Sequence, residues 1–271
     1  MKKSNLFFVG SPKCGTSFLY EKLKFHPELY FTKTKEINHF SFSKLKESSY
    51  YRDYKIETYD NYLKLYNSSK NEKYKVDASV SYFCYPQVAH QILNHNKNSK
   101  IIIILRDPIQ RAFSHYQMDI RMSYADKSLT DYLKDKTSPH YTQYIGNSNY
   151  SKNVDNYINV FGEGNVLVLK LDELKNDLSK LFAFLQIDDL SKNIITEDKV
   201  NENKEARNFI ARFFQKNRAI TEKLKLIIPK SVITFFNGLI YKQAKKISIT
   251  DEETELLTNI LSKDIAFYNS L

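Results

Sequence analysis

The chain has 271 residues, 42% hydrophobic, 27% charged and 14% aromatic, which is enough apolar material for one sizeable core. Gly and Pro number 6 each, which excludes collagen-like and Pro/Gly-rich disordered classes, and no stretch approaches the ~20 apolar residues of a membrane-spanning helix. The 41 Lys and Arg against 31 Asp and Glu leave +10, a balance that favours acidic partners (phosphates, acidic sugars, nucleic acid, anionic lipid) without choosing among them. Cys14 and Cys84 make no disulfide framework, and the apolar run after Lys3 is too short for a signal peptide. These features predict a soluble, cytoplasmic protein.

Residues 5–9 read as a short buried strand, followed by the loop Gly10–Ser17 and a helix over 18–25 that stops before Pro27. A tract rich in Tyr, Ser and Lys runs from 30 to 73, with a helix expected over 60–66 and Asp60 as its cap. Strand 74–76 and a helix over 86–93, with Pro86 in its first turn, come next. Lys100 to Leu105 is a β-branched run of the kind found in parallel sheets, and Asp107-Pro108 opens a helix to about Met122. Residues 123–150 are polar and carry no clear period. A helix over 154–161, a turn at Gly162 to Gly164, a strand over 166–169 and an amphipathic stretch over 174–185 follow. Strands alternating with helices predict an α/β fold: a P-loop-like three-layer arrangement whose central, mainly parallel sheet is covered by helices on both faces. No repeat or linker divides the chain, so residues 1–271 read as one domain, mostly helical after about 190.

Chemistry concentrates in the first loop. A loop rising from a buried strand into a helix N-terminus aims unpaired N–H groups at one point, which suits a phosphate. Gly10 and Gly15 have the Walker A spacing, but Thr16 stands where that motif needs lysine, and the lysine is Lys13, inside the loop. The Ile-rich strand ends in Arg106 rather than in a metal carboxylate. Both departures weigh against a P-loop phosphotransferase such as a small-molecule kinase.

Ser11-Pro12-Lys13-Cys14-Gly15-Thr16-Ser17 resembles the 5′-phosphosulfate-binding loop of sulfotransferases that use 3′-phosphoadenosine-5′-phosphosulfate (PAPS). The segment Ile103 to Tyr116 resembles the family's second signature, the 3′-phosphate site, and the resemblance implies Arg106 and Ser114 as its ligands. An Arg fork and a hydroxyl are chemically apt for a phosphate. Thr34-Lys-Glu-Ile-Asn-His-Phe40 is similar to the segment that carries the general base in heparan-sulfate and related bacterial sulfotransferases. That similarity implies Glu36 as the base. Small-molecule sulfotransferases use a histidine, which makes His39 the alternative.

Asp77-Ala-Ser-Val-Ser-Tyr-Phe83 resembles a Glu-Lys-Thr-Pro-x-Tyr-Phe segment, with Ala78 in place of lysine and Val80 in place of proline. Tyr150 and the run Phe161 to Leu174 also match the family, as scaffold. Asn203 to Arg207 resembles its late loop, in which Lys204 or Arg207 would reach the donor. The resemblance implies PAPS as donor, Lys13 as the cation stabilising the leaving phosphate, and a hydroxyl or amine acceptor. A glycan is expected as acceptor, because Tyr, Ser, Lys and Asn dominate residues 41–73 and Lys33, Lys35 and Lys44 suit an acidic sugar; a small non-sugar acceptor is the alternative. No histidine shows metal-ligand spacing and no nucleic-acid motif appears, so neither a metal nor a nucleic-acid partner is expected.

Overall fold

Strand β1 (Leu6–Gly10) buries all five of its residues, as a strand covered on both faces must. The computed structural model describes residues 2–48, 56–190, 204–206, 241–243 and 247–271. Helix α1 (Thr16–Leu23) follows the first loop, then β2 (Leu29–Phe31), α2 (Phe42–Glu47), α3 (Tyr59–Lys64) and β3 (Tyr74–Ala78). After a 3-10 turn at Val80–Cys84 come α4 (Pro86–His95), β4 (Lys100–Leu105), α5 (Pro108–Arg121), α6 (Leu129–Lys134) and α7 (Pro139–Tyr144). Helix α8 (Tyr150–Phe161), β5 (Val166–Lys170), α9 (Leu171–Asn176) and α10 (Ser179–Leu185) complete the main body.

The five strands are ordered β2-β3-β1-β4-β5 and every pairing is parallel. Alternate residues of a strand face opposite ways, and here they feed two cores. Phe7, Val9, Ile101, Ile103 and Leu105 pack with Tyr62, Val88, Ile92, Val154 and Tyr157 of α3, α4 and α8. Leu6, Phe8, Ile102 and Ile104 pack with Leu19, Leu23, Leu174, Phe182 and Leu185 of α1, α9 and α10. Each large side chain so buried contributes roughly 1.5–3 kcal/mol against exposure. The P-loop-like three-layer expectation is met.

Several local expectations are corrected. Helix α3 begins one residue earlier than expected, and its cap is Thr58, whose hydroxyl accepts from the amide of Asn61 at 3.3 Å; Asp60 sits in the first turn. The amphipathic stretch over 174–185 is two helices, because Asp177 is extended and its carboxylate accepts from the amide of Ser179 at 2.7 Å. Residues 123–150 form α6 and α7, which pack with α5 and the C-terminal helices around Tyr116, Tyr132 and Tyr144. The mostly helical tail holds for α11 (Asp251–Ile260), opened by a Thr250/Glu253 capping box, and α12 (Ser262–Ser270). It does not hold for Lys204–Ala206 and Tyr241–Gln243, which pair as the antiparallel strands β6 and β7.

Strand order fixes where a ligand can sit. From β1 the chain crosses toward β2 and from β4 toward β5, so the two connections diverge and open a crevice at the carboxyl ends of β1 and β4. The first loop and Arg106 both lie at that point.

Candidate active site

The loop between β1 and α1 is shaped by two glycines. A Cβ on Gly10 would stand 2.4 Å from the Cβ of Phe83, so only glycine lets strand and 3-10 turn approach this closely. Gly15 caps α1 at φ 83, a left-handed conformation that favours glycine. With Gly15 turned this way, the first amides of α1, at Thr16 and Ser17, have no intrahelical acceptor and mark an anion site.

The loop is bolted to its neighbours. The amide of Ser11 donates to the Ile104 carbonyl of β4 and its hydroxyl to the Asn147 carbonyl, both at 2.8 Å. Buried Cys14 has its sulfur 3.6 Å from the Tyr150 hydroxyl, and burial pushes the thiol pKa up, which suits a packing role rather than a nucleophile. Fully buried Arg111 places Nη1 3.4 Å from the Pro12 carbonyl and 3.3 Å from Nδ1 of His115. Its Nη2 donates to the carbonyls of Gln143 (2.8 Å) and Tyr144 (2.6 Å), and Nε to the Ser148 hydroxyl (2.7 Å). All five guanidinium N–H groups therefore have an acceptor. Burial, then the Arg111 charge, holds the His115 pKa well down, so its neutral ring can accept.

Cations converge on this loop. Lys13 has φ 71, and its pKa is lowered to about 8, first by burial and then by Arg121, with Arg111 and Arg106 adding and Asp119 opposing. Arg106 leaves the end of β4 and donates from Nη2 to Oε1 of Gln110 at 3.1 Å, a partner one helical turn on. Asp107 caps α5 by accepting from the Gln110 amide at 2.8 Å. Ser114 is half-buried in the second turn of α5. Lys204 lies in β6, opposite Gln243 of β7, and Arg207 falls outside the described residues.

Glu36 stands across from the loop. Its backbone is left-handed (φ 56), as is that of Asn38 (φ 57). Three bonds to the end of β3 hold this segment: Glu36 amide to the Ala78 carbonyl (3.1 Å), Asn38 amide to the Ser79 hydroxyl (3.0 Å), and Val80 amide to Glu36 Oε2 (3.0 Å). Val80 stands where the resembled segment has proline, which has no N–H to give. Burial raises the Glu36 pKa; Lys35 and the Val80 amide oppose it, and Asp77 adds to it. Lys35 was read from sequence as an acceptor contact only. Its ammonium donates to Ser17 Oγ at 2.6 Å and lies 3.7 Å from Glu36 Oε1, bridging loop and carboxylate.

His39 faces elsewhere. Its ring stacks on Tyr62 (4.7 Å between centroids, 16° between planes), and its Nδ1 is 3.2 Å from the Ile56 carbonyl. It lines a cavity of about 570 Å³ with Tyr59, Gln91 and His95. Burial lowers its pKa. Buried Asp77, pushed up to about 6 by burial, accepts from Tyr62, Tyr82 and Ser79 and so braces the Glu36 segment from behind. Among the described residues, no group of three or more His, Cys, Asp or Glu is placed to hold a metal.

A glycine-turned anion loop at the divergence of a parallel sheet, with converging cations and a carboxylate opposite, defines a P-loop-like protein that handles an anionic ligand. The family model for the sulfotransferase domain matches residues 3–219, and the chain belongs to that family. It is 34% identical over 124 residues to the membrane-associated sulfotransferase kil1 of Dictyostelium discoideum, covering 46% of this chain and 25% of that protein. It is 25% identical over 256 residues to human carbohydrate sulfotransferase 15, covering 69% of this chain and 44% of that one. The chain thus spans less than half the length of either relative. A crystal structure of a sulfotransferase from Alicyclobacillus acidocaldarius shares the fold, with a TM-score of 0.70 at 23% identity over 98% of this chain and 94% of that one. Among the described residues no helix is long and apolar enough to cross a membrane.

Proposed function

We propose that this chain moves a sulfuryl group from PAPS to a hydroxyl or amine of an acceptor, and that the acceptor is a glycan. The observation that carries the reading is the facing pair at the β1–β4 crevice: Lys13 in the anion loop, and Glu36 linked to Ser17 of that loop through Lys35. The first amides of α1, with the Thr16 and Ser17 hydroxyls, receive the 5′-phosphosulfate. Ser11, Pro12, Cys14 and Gly15 shape the loop around it. Arg106 and Ser114 take the 3′-phosphate, with Lys204 and Arg207 as further donor contacts.

In the reaction the acceptor gives its proton to Glu36 as its oxygen or nitrogen bonds to sulfur. The bond between sulfur and the bridging phosphate oxygen breaks, its electron pair stays on the phosphate, and Lys13 stabilises that charge. The products are the sulfated acceptor and adenosine 3′,5′-bisphosphate. Burial raises the affinity of Glu36 for a proton, as a base working near neutrality requires. The geometry favours Glu36 over His39, because Glu36 shares a lysine with the loop whereas His39 is turned into the aromatic cluster of α3. The glycan reading draws on the relative described as a carbohydrate sulfotransferase and on the Lys- and Tyr-rich tract around Glu36. Labelled PAPS supplied with acidic oligosaccharides, and separately with phenols and sterols, tests it. Label entering the first set supports the proposal; label entering only the second rejects the glycan and keeps the donor chemistry.

A further inference from the structure

The ammonium of Lys35 lies between the two halves of the candidate reaction. It donates to Ser17 Oγ at 2.6 Å, in the first turn of α1, and lies 3.7 Å from Glu36 Oε1, with the Tyr20 ring 5.8 Å away on a third side. The other carboxylate oxygen, Oε2, is fixed by the Val80 amide, so Oε1 is the oxygen left for an acceptor proton and also the one Lys35 covers. The lysine is therefore nearer the donor loop than the base, on a flexible four-carbon stem that swings at little cost.

Resting on the reading of Glu36 as the base, we propose that Lys35 is a catalytic residue that couples donor binding to base activation. When a phosphosulfate occupies the loop, the ammonium leaves Glu36 Oε1 for the sulfuryl oxygens. Those oxygens sit beside Ser17, where the ammonium already rests. The move uncovers Oε1 and removes the cation that opposes its protonation, so the base is released only in a donor-loaded site. The groups facing Glu36 are Lys35, Asp77 and the Val80 amide, and of these Lys35 is the largest influence holding its pKa down. Losing that influence makes the carboxylate a stronger base. A site built this way takes its donor before its acceptor.

The test is the acid side of the pH–rate profile. The limb of kcat over KM for PAPS reports the free enzyme, and the limb of kcat reports the loaded one. In the wild type the loaded limb is expected about one pH unit above the free limb. In Lys35→Met the free limb rises and the gap narrows, and turnover falls roughly 30-fold or more, since a cation on the transferring group is lost. Lys35→Arg keeps a charge and restores part of both the gap and the turnover. Affinity for adenosine 3′,5′-bisphosphate, which lacks the sulfuryl group, stays within about threefold in all three proteins, and this also verifies that the variants fold. Coincident limbs in the wild type, or an unchanged gap and turnover in Lys35→Met, overturn the coupling. A Glu36→Gln variant with full turnover would instead strike the base assignment, so the two failures are distinguishable.

Discussion

The phenol of Tyr150 donates to the main-chain carbonyl of Arg106 at 2.8 Å, and the same oxygen lies 3.6 Å from the Cys14 sulfur. One buried hydroxyl thus sets the end of β4, where the candidate 3′-phosphate ligand departs, in register with the anion loop after β1. Ser11 repeats the connection from the other side, through its amide to Ile104 and its hydroxyl to Asn147, and Arg111 adds a third tie through the Pro12 carbonyl. A donor that spans both strand ends needs their separation fixed in advance, since ordering them on binding would subtract from affinity.

Tyr150→Phe removes the tie and leaves a buried carbonyl without its donor. Such a loss costs about 1–3 kcal/mol. Urea unfolding should show that decrease, and calorimetry should show a several-fold weaker grip on adenosine 3′,5′-bisphosphate. A variant as stable as the wild type would mean that the carbonyl finds another partner.

Arg106→Ala should weaken the 3′,5′-bisphosphate roughly 10- to 100-fold while changing 5′-AMP little, because a charge-assisted hydrogen bond to the distinguishing phosphate is worth about 1.5–3 kcal/mol. Equal weakening of the two nucleotides would remove Arg106 from the 3′-phosphate site. Gln110→Ala provides a graded companion: it frees the guanidinium from its resting partner, and its effect on 5′-AMP should be equally small.

The sheet and the loop were legible because their signals are local. The run Lys100 to Leu105 is a strand at those same residues, and Gly10 and Gly15 sit where the backbone demands glycine. Arg111 was not legible: on a helix before Ala112 and Phe113 it reads as a surface charge, and its burial depends on carbonyls of α7 some 30 residues later. Strand β2 is three residues long and exists only through its pairing with β3. Lys35 was visible as a charge, but its bridge to Ser17 requires β2 and the turn after it to bring residue 35 back to the first helix. The loop and Glu36 could be picked out by pattern, whereas the groups that tune them are assembled by tertiary packing.

Val80→Pro tests that tuning at one atom. The substitution deletes the N–H that holds Glu36 Oε2 at 3.0 Å, and Ser79 before it is already extended, a conformation that precedes proline without conflict. With one stabilising bond to the ionised form gone, the Glu36 pKa rises further and the acid limb of the rate profile moves to higher pH. Turnover at neutral pH should fall roughly 5- to 10-fold, in keeping with one lost hydrogen bond to a charged group. A limb that stays put would show that the amide positions the loop without acting on the carboxylate.

Lys13 makes donor affinity depend on pH in a window set by its own environment. Its pKa in the free protein is lowered to about 8, chiefly by burial and by Arg121. An arriving phosphate favours the ammonium, so binding raises that pKa and takes up a proton wherever free Lys13 has lost one. Below about pH 7.5 the lysine is already charged and affinity is flat. Above about 8 each further pH unit should weaken adenosine 3′,5′-bisphosphate, by up to about tenfold per unit until the bound form also titrates. The ligand does not supply this slope, because phosphate monoesters lose their second proton near pH 6. Calorimetry from pH 7 to 9.5, in two buffers of different ionisation enthalpy, should show proton uptake that grows through pH 8. Lys13→Arg keeps its charge throughout and should flatten the profile. Lys13→Ala should flatten it too, at lower affinity, and cut turnover by roughly 100- to 1,000-fold through loss of the cation on the leaving phosphate. A wild-type affinity unchanged between pH 7 and 9.5 would place the Lys13 ammonium away from the bound phosphates and remove it from the mechanism.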